Sequence, residues 1–283
     1  MEATGAAKSG GEWAERTYEA MAPVYDDFTA HHDYEGWLTD LLVALERRGL
    51  RGRRLLDVAC GTGKSFMPML SRGWQVTACD ISPAMLELAR GKAGDAATLA
   101  VADMLELPTF GEFDLIWALD DAINYLLGPE ELERALAGML RNMAPTGLLL
   151  FDLNELLAYR TFFAETSVVE RGGRRLVWRG LAEADVAPGS ICESRLEVVP
   201  EDSGANGGGE APTLIHRQRH FAEAEVLAAL EGAGLECLDV YGHGLDGIPK
   251  QPLDVESHTK AIYIARPGEA LSREPTENSS ARD

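Results

Sequence analysis

Leu55-Leu56-Asp57-Val58-Ala59-Cys60-Gly61-Thr62-Gly63-Lys64-Ser65 is the stretch on which the fold turns. Its first residues read as a short buried strand, and the two glycines turn the chain sharply into a helix through Met67 and Leu70. Glycines at such a turn let a ligand approach the backbone, and a helix N-terminus offers free N–H groups. A tight turn without a ligand is the plain alternative. Gly63-Lys64-Ser65 also invites a nucleotide-phosphate loop, the more so because Leu148–Phe151 runs into Asp152 as a magnesium-holding strand would. That loop needs a glycine where Val58 stands, and a β-branched side chain would obstruct it. Lys64 is then a solvated first-turn residue.

Working outward, the rhythm of apolar run, acidic or glycine-rich turn and helix repeats. Gln75–Cys79, Leu99–Ala102, Phe113–Leu119 and Leu148–Asp152 are strands. Helices carry Met85 and Leu88, then Leu132, Leu136, Met139, Leu140 and Met143. The alternation predicts an α/β fold with a mostly parallel sheet covered on both faces, whose ligands bind beyond the C-terminal strand ends. Trp37, Leu38, Leu41, Leu42 and Leu45 form an amphipathic helix ahead of the core, stopped at Arg47-Arg48-Gly49. After Asn154, Val168–Trp178, Cys192–Val199 and Thr213–Phe221 read as strands without helices between them, with Gly204–Gly209 a flexible hairpin tip. A helix with Val226, Leu227 and Leu230, then strands Leu235–Tyr241 and Lys260–Ala265, close the core. The expected organisation is a disordered N-terminus (1–12), a helical lid and ligand-binding core (13–164), an antiparallel insertion acting as substrate lid or dimer contact (165–221), the end of the core (222–266) and a disordered tail (267–283).

Acids recur at the strand ends. Asp80 closes the second strand, where a carboxylate can accept from both hydroxyls of a ribose. Asp103 follows the third and could accept from an adenine amino group while Met104 covers the ring. One such Asp is ordinarily a cap or turn former; a series at successive strand ends points to a nucleoside.

The runs Leu56–Gly63, Asp80-Ile81-Ser82-Pro83-Ala84-Met85-Leu86 and Ala102-Asp103-Met104 resemble the class I S-adenosylmethionine-dependent methyltransferases over residues 13–266. With Tyr18, Tyr25-Asp26 and the insertion, the chain is similar to glycine/sarcosine and amino-sugar N-methyltransferases. The resemblance implies a Rossmann-like seven-stranded sheet with its last strand antiparallel and S-adenosylmethionine as cofactor. It implies that Ala59, Gly61 and Gly63 line the methionine end and Asp80 the ribose. Ile81 and Met85 would surround ribose and adenine, Asp103 and Met104 would hold adenine, and the Ala118 and Leu119 backbone would face the amino group. Tyr18 and Tyr25 would fold over the donor; as isolated tyrosines they would be core residues. Glycine methyltransferases carry an arginine shortly after the fifth strand, whereas Phe151-Asp152-Leu153-Asn154 is followed by none before Arg160, which argues against glycine as acceptor.

Composition sets the outer bounds. The 283 residues are 46% hydrophobic and 25% charged, as in a folded soluble chain. With 46 acids against 26 bases the formal charge is −20, which disfavours nucleic acid and anionic membrane as partners. Cys60, Cys79, Cys192 and Cys237 are too scattered for a metal knuckle or a disulfide scaffold, so reduced thiols in a cytoplasmic protein are expected. No signal segment or membrane helix is visible. Nine acids and no Lys or Arg lie between Asp103 and Glu133, at positions 103, 106, 112, 114, 120, 121, 130, 131 and 133. Solvated faces account for Glu130, Glu131 and Glu133, and the remainder could favour a cationic sulfonium donor.

Methyl transfer needs alignment and exclusion of water rather than a covalent nucleophile. Asp120, Asp121, Asn124 and Tyr125 are placed to reach a small-molecule acceptor. Tyr25, Asp121 and Asn124 are the candidate catalytic groups, and Asp121 is equally explicable as a turn former. Trp178, His216 and His220 are candidate acceptor-side residues with Asp120 and Tyr125, and Phe162, Phe163 and Phe221 are possible apolar walls. His216 and His220 share a strand face without other ligands at metal spacing, so no metal is expected. Arg171, Arg174, Arg175 and Arg179 could pair with Glu183, Asp185, Glu193 and Glu197 across strands or in a homodimer. The sequence thus predicts methyl transfer to a small molecule, with nitrogen preferred over oxygen. A phosphate-loop NTPase and a cofactor-binding protein without turnover are the alternatives.

Overall fold

The computed structural model describes residues 10–200, 213–244 and 247–268. Residues 1–9 and 269–283 and the Gly204–Gly209 tip lie outside them. Two helices come first, α1 (Gly10–Phe28) and α2 (Tyr34–Arg47). Residues 10–12, expected to be disordered, form the first turn of α1. The Asp33 carboxylate caps α2 by accepting from Gly36 N–H at 3.1 Å, and Gly49, at φ 90°, ends it. There follow β1 (Arg54–Val58), α3 (Met67–Ser71), β2 (Gln75–Asp80), α4 (Pro83–Ala93), β3 (Ala97–Val101) and β4 (Phe113–Ala118). After α5 (Pro129–Leu140), β5 (Met143–Asn154) and the short α6 (Leu156–Thr161), the chain leaves the core as β6 (Thr166–Arg171), β7 (Arg174–Gly180), β8 (Ile191–Pro200) and β9 (Thr213–Arg219). It returns as α7 (Glu223–Gly232), β10 (Leu235–His243), β11 (Pro249–Lys250) and β12 (Lys260–Pro267).

The large sheet has the order β11-β10-β12-β5-β4-β1-β2-β3. β1 to β5 pair in parallel, and β12 runs antiparallel to both of its neighbours. These are the expected seven strands with the last reversed, extended at the edge by the two-residue β11. Alternation along each strand divides the core between two faces. Leu56, Ile116, Leu149 and Phe151 pack against α5 and α7, while Leu55, Leu115, Leu148 and Leu150 pack against α2, α3 and α4.

The second sheet, β6-β7-β8-β9, is wholly antiparallel. Val168–Trp178 is a hairpin rather than one strand, turned at Gly172-Gly173 with φ of 60° and 70°, the left-handed pair a two-residue turn demands. Leu176, Leu196 and Leu214 on this sheet bury Met21, Ala22 and Val24 of α1. α1 therefore lies between the insertion and the C-terminal ends of the core strands. Among the described residues no helix is long and apolar enough to cross a membrane.

Candidate active site

Beyond Val58 the chain enters left-handed conformations at Ala59 (φ 60°), Gly61 (φ 54°) and Gly63 (φ 84°). For Ala59 this costs roughly 1–2 kcal/mol, the kind of local strain that gathers at ligand sites. A side chain on Gly61 would approach only the Tyr25 ring, at 3.8 Å, across open space. One on Gly63 would stand 2.6 Å from the Phe66 ring. Ala59 and Gly61 therefore line the cleft, whereas Gly63 serves packing, a correction to its expected role. The loop opens only into the five-residue α3. Lys64 is not a solvated residue: its ammonium donates to the carbonyl and hydroxyl of Thr29 at 2.6 and 2.9 Å, tying the loop to the end of α1.

A cleft runs over the ends of β1 to β4. Ala59, Gly61, Asp80, Ile81, Asp103, Met104 and Leu119 line it, and Tyr18 and Tyr25 of α1 cover it together with Tyr125. The Asp80 carboxylate accepts from Gly61 N–H at 2.8 Å and Ser82 N–H at 2.9 Å. Burial pushes its pKa up to about 6. Asp103 accepts from Leu105 N–H at 2.8 Å, and the bare Cα of Gly11 leaves its other oxygen room; a side chain there would come within 2.6 Å. Met85 is displaced from its expected place: it is wholly buried with Met21 and Val24 beneath α1.

A second chamber adjoins the cleft and shares Tyr18, Tyr25, Asp120 and Tyr125 with it. Asp121, Trp178, His216, Gln218 and Lys260 are among its other polar and aromatic wall residues, with His31, His32 and Glu165. Asp120 and Asp121 are both left-handed, at φ 62° and 57°. The fully buried Asp152 holds that bend by accepting from their N–H groups at 2.6 and 3.0 Å. Lys260 donates to Asp152 at 2.7 Å and Asp121 at 2.9 Å and stands 3.6 Å from Asp120. Burial and the repulsion of Asp120 and Asp152 lift Asp121 to about 6, against the pull of Lys260. For Asp120 burial also works upward, but His32, Lys260 and the 2.8 Å bond from Tyr34 OH outweigh it and hold the carboxyl below the usual range.

Several expected residues fall elsewhere. Asn124 is fully buried, its oxygen accepting from Asn154 N–H at 2.8 Å and its amide donating to Arg219 O at 2.9 Å, so it joins core to insertion without reaching the chamber. His220 lies past the end of β9, accepting from Gly189 N–H at 3.2 Å and packed on Tyr159, not on the chamber wall. Phe221 belongs to the core beneath the Arg219 guanidinium. Tyr125 OH accepts from Tyr18 OH at 2.9 Å and lies 2.6 Å from His216 Nδ1. Trp178 stacks on Phe28 at 5.8 Å. Of the insertion arginines, Arg179 pairs with Glu197 as expected, at 2.9 Å, whereas Arg171 and Arg174 reach Asp27 and Pro23 O on α1. Among the described residues no His, Cys, Asp and Glu cluster suits a metal ion. Asp152, Lys260 and Gln218 were not foreseen as site residues. Asp152 stood in view as the acid of β5, but its partners are far off in sequence.

The cleft's donor set fits a nucleoside that carries a positive charge. It offers a carboxylate beside strained loop backbone, a second carboxylate with the half-buried Met104 next to it, and aromatic cover, with the Lys64 cation turned away. The methyltransferase-domain family matches residues 55–147. A methyltransferase-family protein of Geobacillus sp. (strain WCH70) is 34% identical over 257 residues, 88% of this chain and 99% of the relative. The dTDP-3-amino-3,4,6-trideoxy-α-D-glucopyranose N,N-dimethyltransferase of Streptomyces venezuelae is 28% identical over 219 residues, 76% of this chain and 89% of that enzyme. A solved S-adenosylmethionine-dependent methyltransferase of Clostridium acetobutylicum superposes with a TM-score of 0.70 at 21% identity, over 89% of this chain and 99% of that one. With that fold, that relationship and this cleft, the chain belongs to the S-adenosylmethionine-dependent methyltransferases and uses S-adenosylmethionine as its cofactor.

Proposed function

We propose that this methyltransferase acts on the amine nitrogen of a small molecule, such as an amino sugar or natural-product intermediate. The observation that carries the reading is Asp121, a carboxylate on the acceptor chamber wall whose pKa is raised to about 6. The cofactor supplies a methyl group bonded to a positively charged sulfur. In the transfer the nitrogen lone pair forms the new N–C bond while the C–S bond breaks and its electrons go to sulfur. An ammonium must first lose a proton, and Asp121 is the group placed to take it. Tyr25 does not serve as that base, because burial and then Asp120 and Asp121 push its phenol well above the ordinary value. Tyr25 and Tyr18 instead position the reactants and exclude water. The name of the Streptomyces relative, an amino-sugar N,N-dimethyltransferase, supports the same class.

The test is incubation with S-adenosylmethionine and a panel of free amines and amino sugars, read by mass spectrometry for added methyl groups. Asp121→Asn should lower kcat by roughly 10²–10⁴-fold, the usual worth of a general base, with little change in cofactor affinity. Methylation confined to hydroxyl acceptors would overturn the nitrogen assignment.

A further inference from the structure

The acceptor chamber also defines what its ligand lacks. Its charged wall residues are Asp120, Asp121, Glu165 and Lys260, and the one ammonium among them is held by Asp120, Asp121 and Asp152 together. The neighbouring cations are likewise engaged. Arg171 lies 3.7 Å from Asp27, Arg179 2.9 Å from Glu197, Arg217 3.4 Å from Glu193 and Arg219 2.8 Å from Glu225. Arg174 donates to Pro23 O, Arg160 to Val186 O and Lys64 to Thr29. Of the chamber histidines, His32 is 3.3 Å from Asp120, and burial, with His32 and Lys64 nearby, lowers the pKa of His31. Among the described residues no uncommitted cation faces the chamber. A diphosphate would have to shed its water against net negative charge, whereas an ammonium is favoured there.

A second observation fixes a further part of the ligand. Tyr18 OH donates to Tyr125 OH, leaving the Tyr125 proton for His216 Nδ1. The neutral ring then carries its own proton on Nε2. That atom is buried and has no partner among the described residues, although His216 is only 3% exposed and lines the chamber. A buried donor left unpaired is costly and calls for an acceptor atom in the ligand. His216 and Gln218 share one face of β9, and Gln218 donates to Asp121 at 2.5 Å. His216 and the proton-accepting carboxylate therefore lie on one wall.

We infer that the acceptor is a phosphate-free amine bearing a hydroxyl or ether oxygen, its nitrogen against Asp121 and its oxygen accepting from His216 Nε2–H. This deepens the N-methyltransferase reading and rests on it. It also separates this chain from a nucleotide-linked acceptor of the kind that names the Streptomyces relative.

The experiment is calorimetry on the full chain saturated with S-adenosylhomocysteine. The probes are 3-amino-3-deoxy-D-glucose as hydroxylated amine, cyclohexylamine as amine without oxygen, and thymidine 5′-diphosphate. The amino sugar should bind, cyclohexylamine about tenfold more weakly, and the diphosphate not measurably. His216→Phe should erase the preference for the hydroxylated amine, and His216→Gln, which keeps a donor, should restore part of it. Diphosphate binding as tight as the amino sugar, failure of the amino sugar to bind, or a preference that survives in His216→Phe would overturn the inference. Failure to bind S-adenosylhomocysteine, or methylation on oxygen alone, would overturn the N-methyltransferase reading instead.

Discussion

Asp80 already accepts two loop N–H groups, so its worth to the cofactor lies in its remaining lone pairs and its charge. Hydrogen bonds from ribose hydroxyls to a carboxylate are charge-assisted, and Asp80→Ala should weaken S-adenosylhomocysteine binding by about 1.5–3 kcal/mol. The sign of the pH effect follows from the raised pKa of about 6. The ionised form is the better acceptor, so affinity is full well above that value and declines as pH falls through it. Calorimetry from pH 5 to 8 should show this slope in the parent chain and lose it in Asp80→Asn; an unchanged slope would remove the ribose role. The two glycines of the loop separate in the same manner. Gly63→Ala drives a methyl group into the Phe66 ring and should lower thermal stability by roughly 1–3 kcal/mol. Gly61→Ala meets open space in the cleft but must hold a left-handed φ of 54°, so it should cost roughly 1–2 kcal/mol of stability and also weaken cofactor binding.

At the scale of elements, α1 is the part that converts an open strand-end cleft into a closed site. It is fastened by Thr17 donating to Ile215 O at 2.6 Å, by Glu19 accepting from Ser82 OH and Ala84 N–H, and by Asp26 accepting from Thr62 OH at 2.6 Å. Gly11→Val would set a side chain against Asp103 and lift the first turns of α1. The expected outcome is a rise of about tenfold in the KM for S-adenosylmethionine together with a loss of roughly 1–3 kcal/mol of stability from the overpacked turn; a loss of stability without a KM effect would refute this role. The start of this helix is hard to read because the buried positions of its first turns are Gly10, Gly11, Ala14 and Thr17, small residues that make no apolar stripe, and the larger Met21 and Val24 come only in its second half. The core strands were legible because burial on both faces leaves nearly continuous apolar runs. Gly172-Gly173 was read through because β-rich sequence flanks it on both sides. Asp80, Asp103 and Gly61 could be found because local spacing after a strand announces them. Lys260 and Asp152 could not, since they meet only when β12 inserts beside β5.

For the molecule as a whole, the −20 charge divides by location. Of the acids between Asp103 and Glu133, Asp103, Asp120 and Asp121 reach the chambers, whereas Asp114 pairs with Arg54 at the far end of β4 and Glu106 with Arg134 on the surface. Only part of the imbalance therefore bears on a cationic ligand. Core, insertion and α1 converge around the two chambers, and a ligand bound there touches all three. Binding at a hundredfold excess over Kd adds about 2.7 kcal/mol to the stability of whatever must open to release it. If α1 is what opens, hydrogen exchange should show its amides slowing on addition of S-adenosylhomocysteine by a factor approaching a hundred, while β4 and β5, whose exchange requires opening of the core, change less. Equal slowing throughout the sheet and α1 would mean that the cofactor is released by global unfolding alone, and α1 would then be a fixed wall and not a lid.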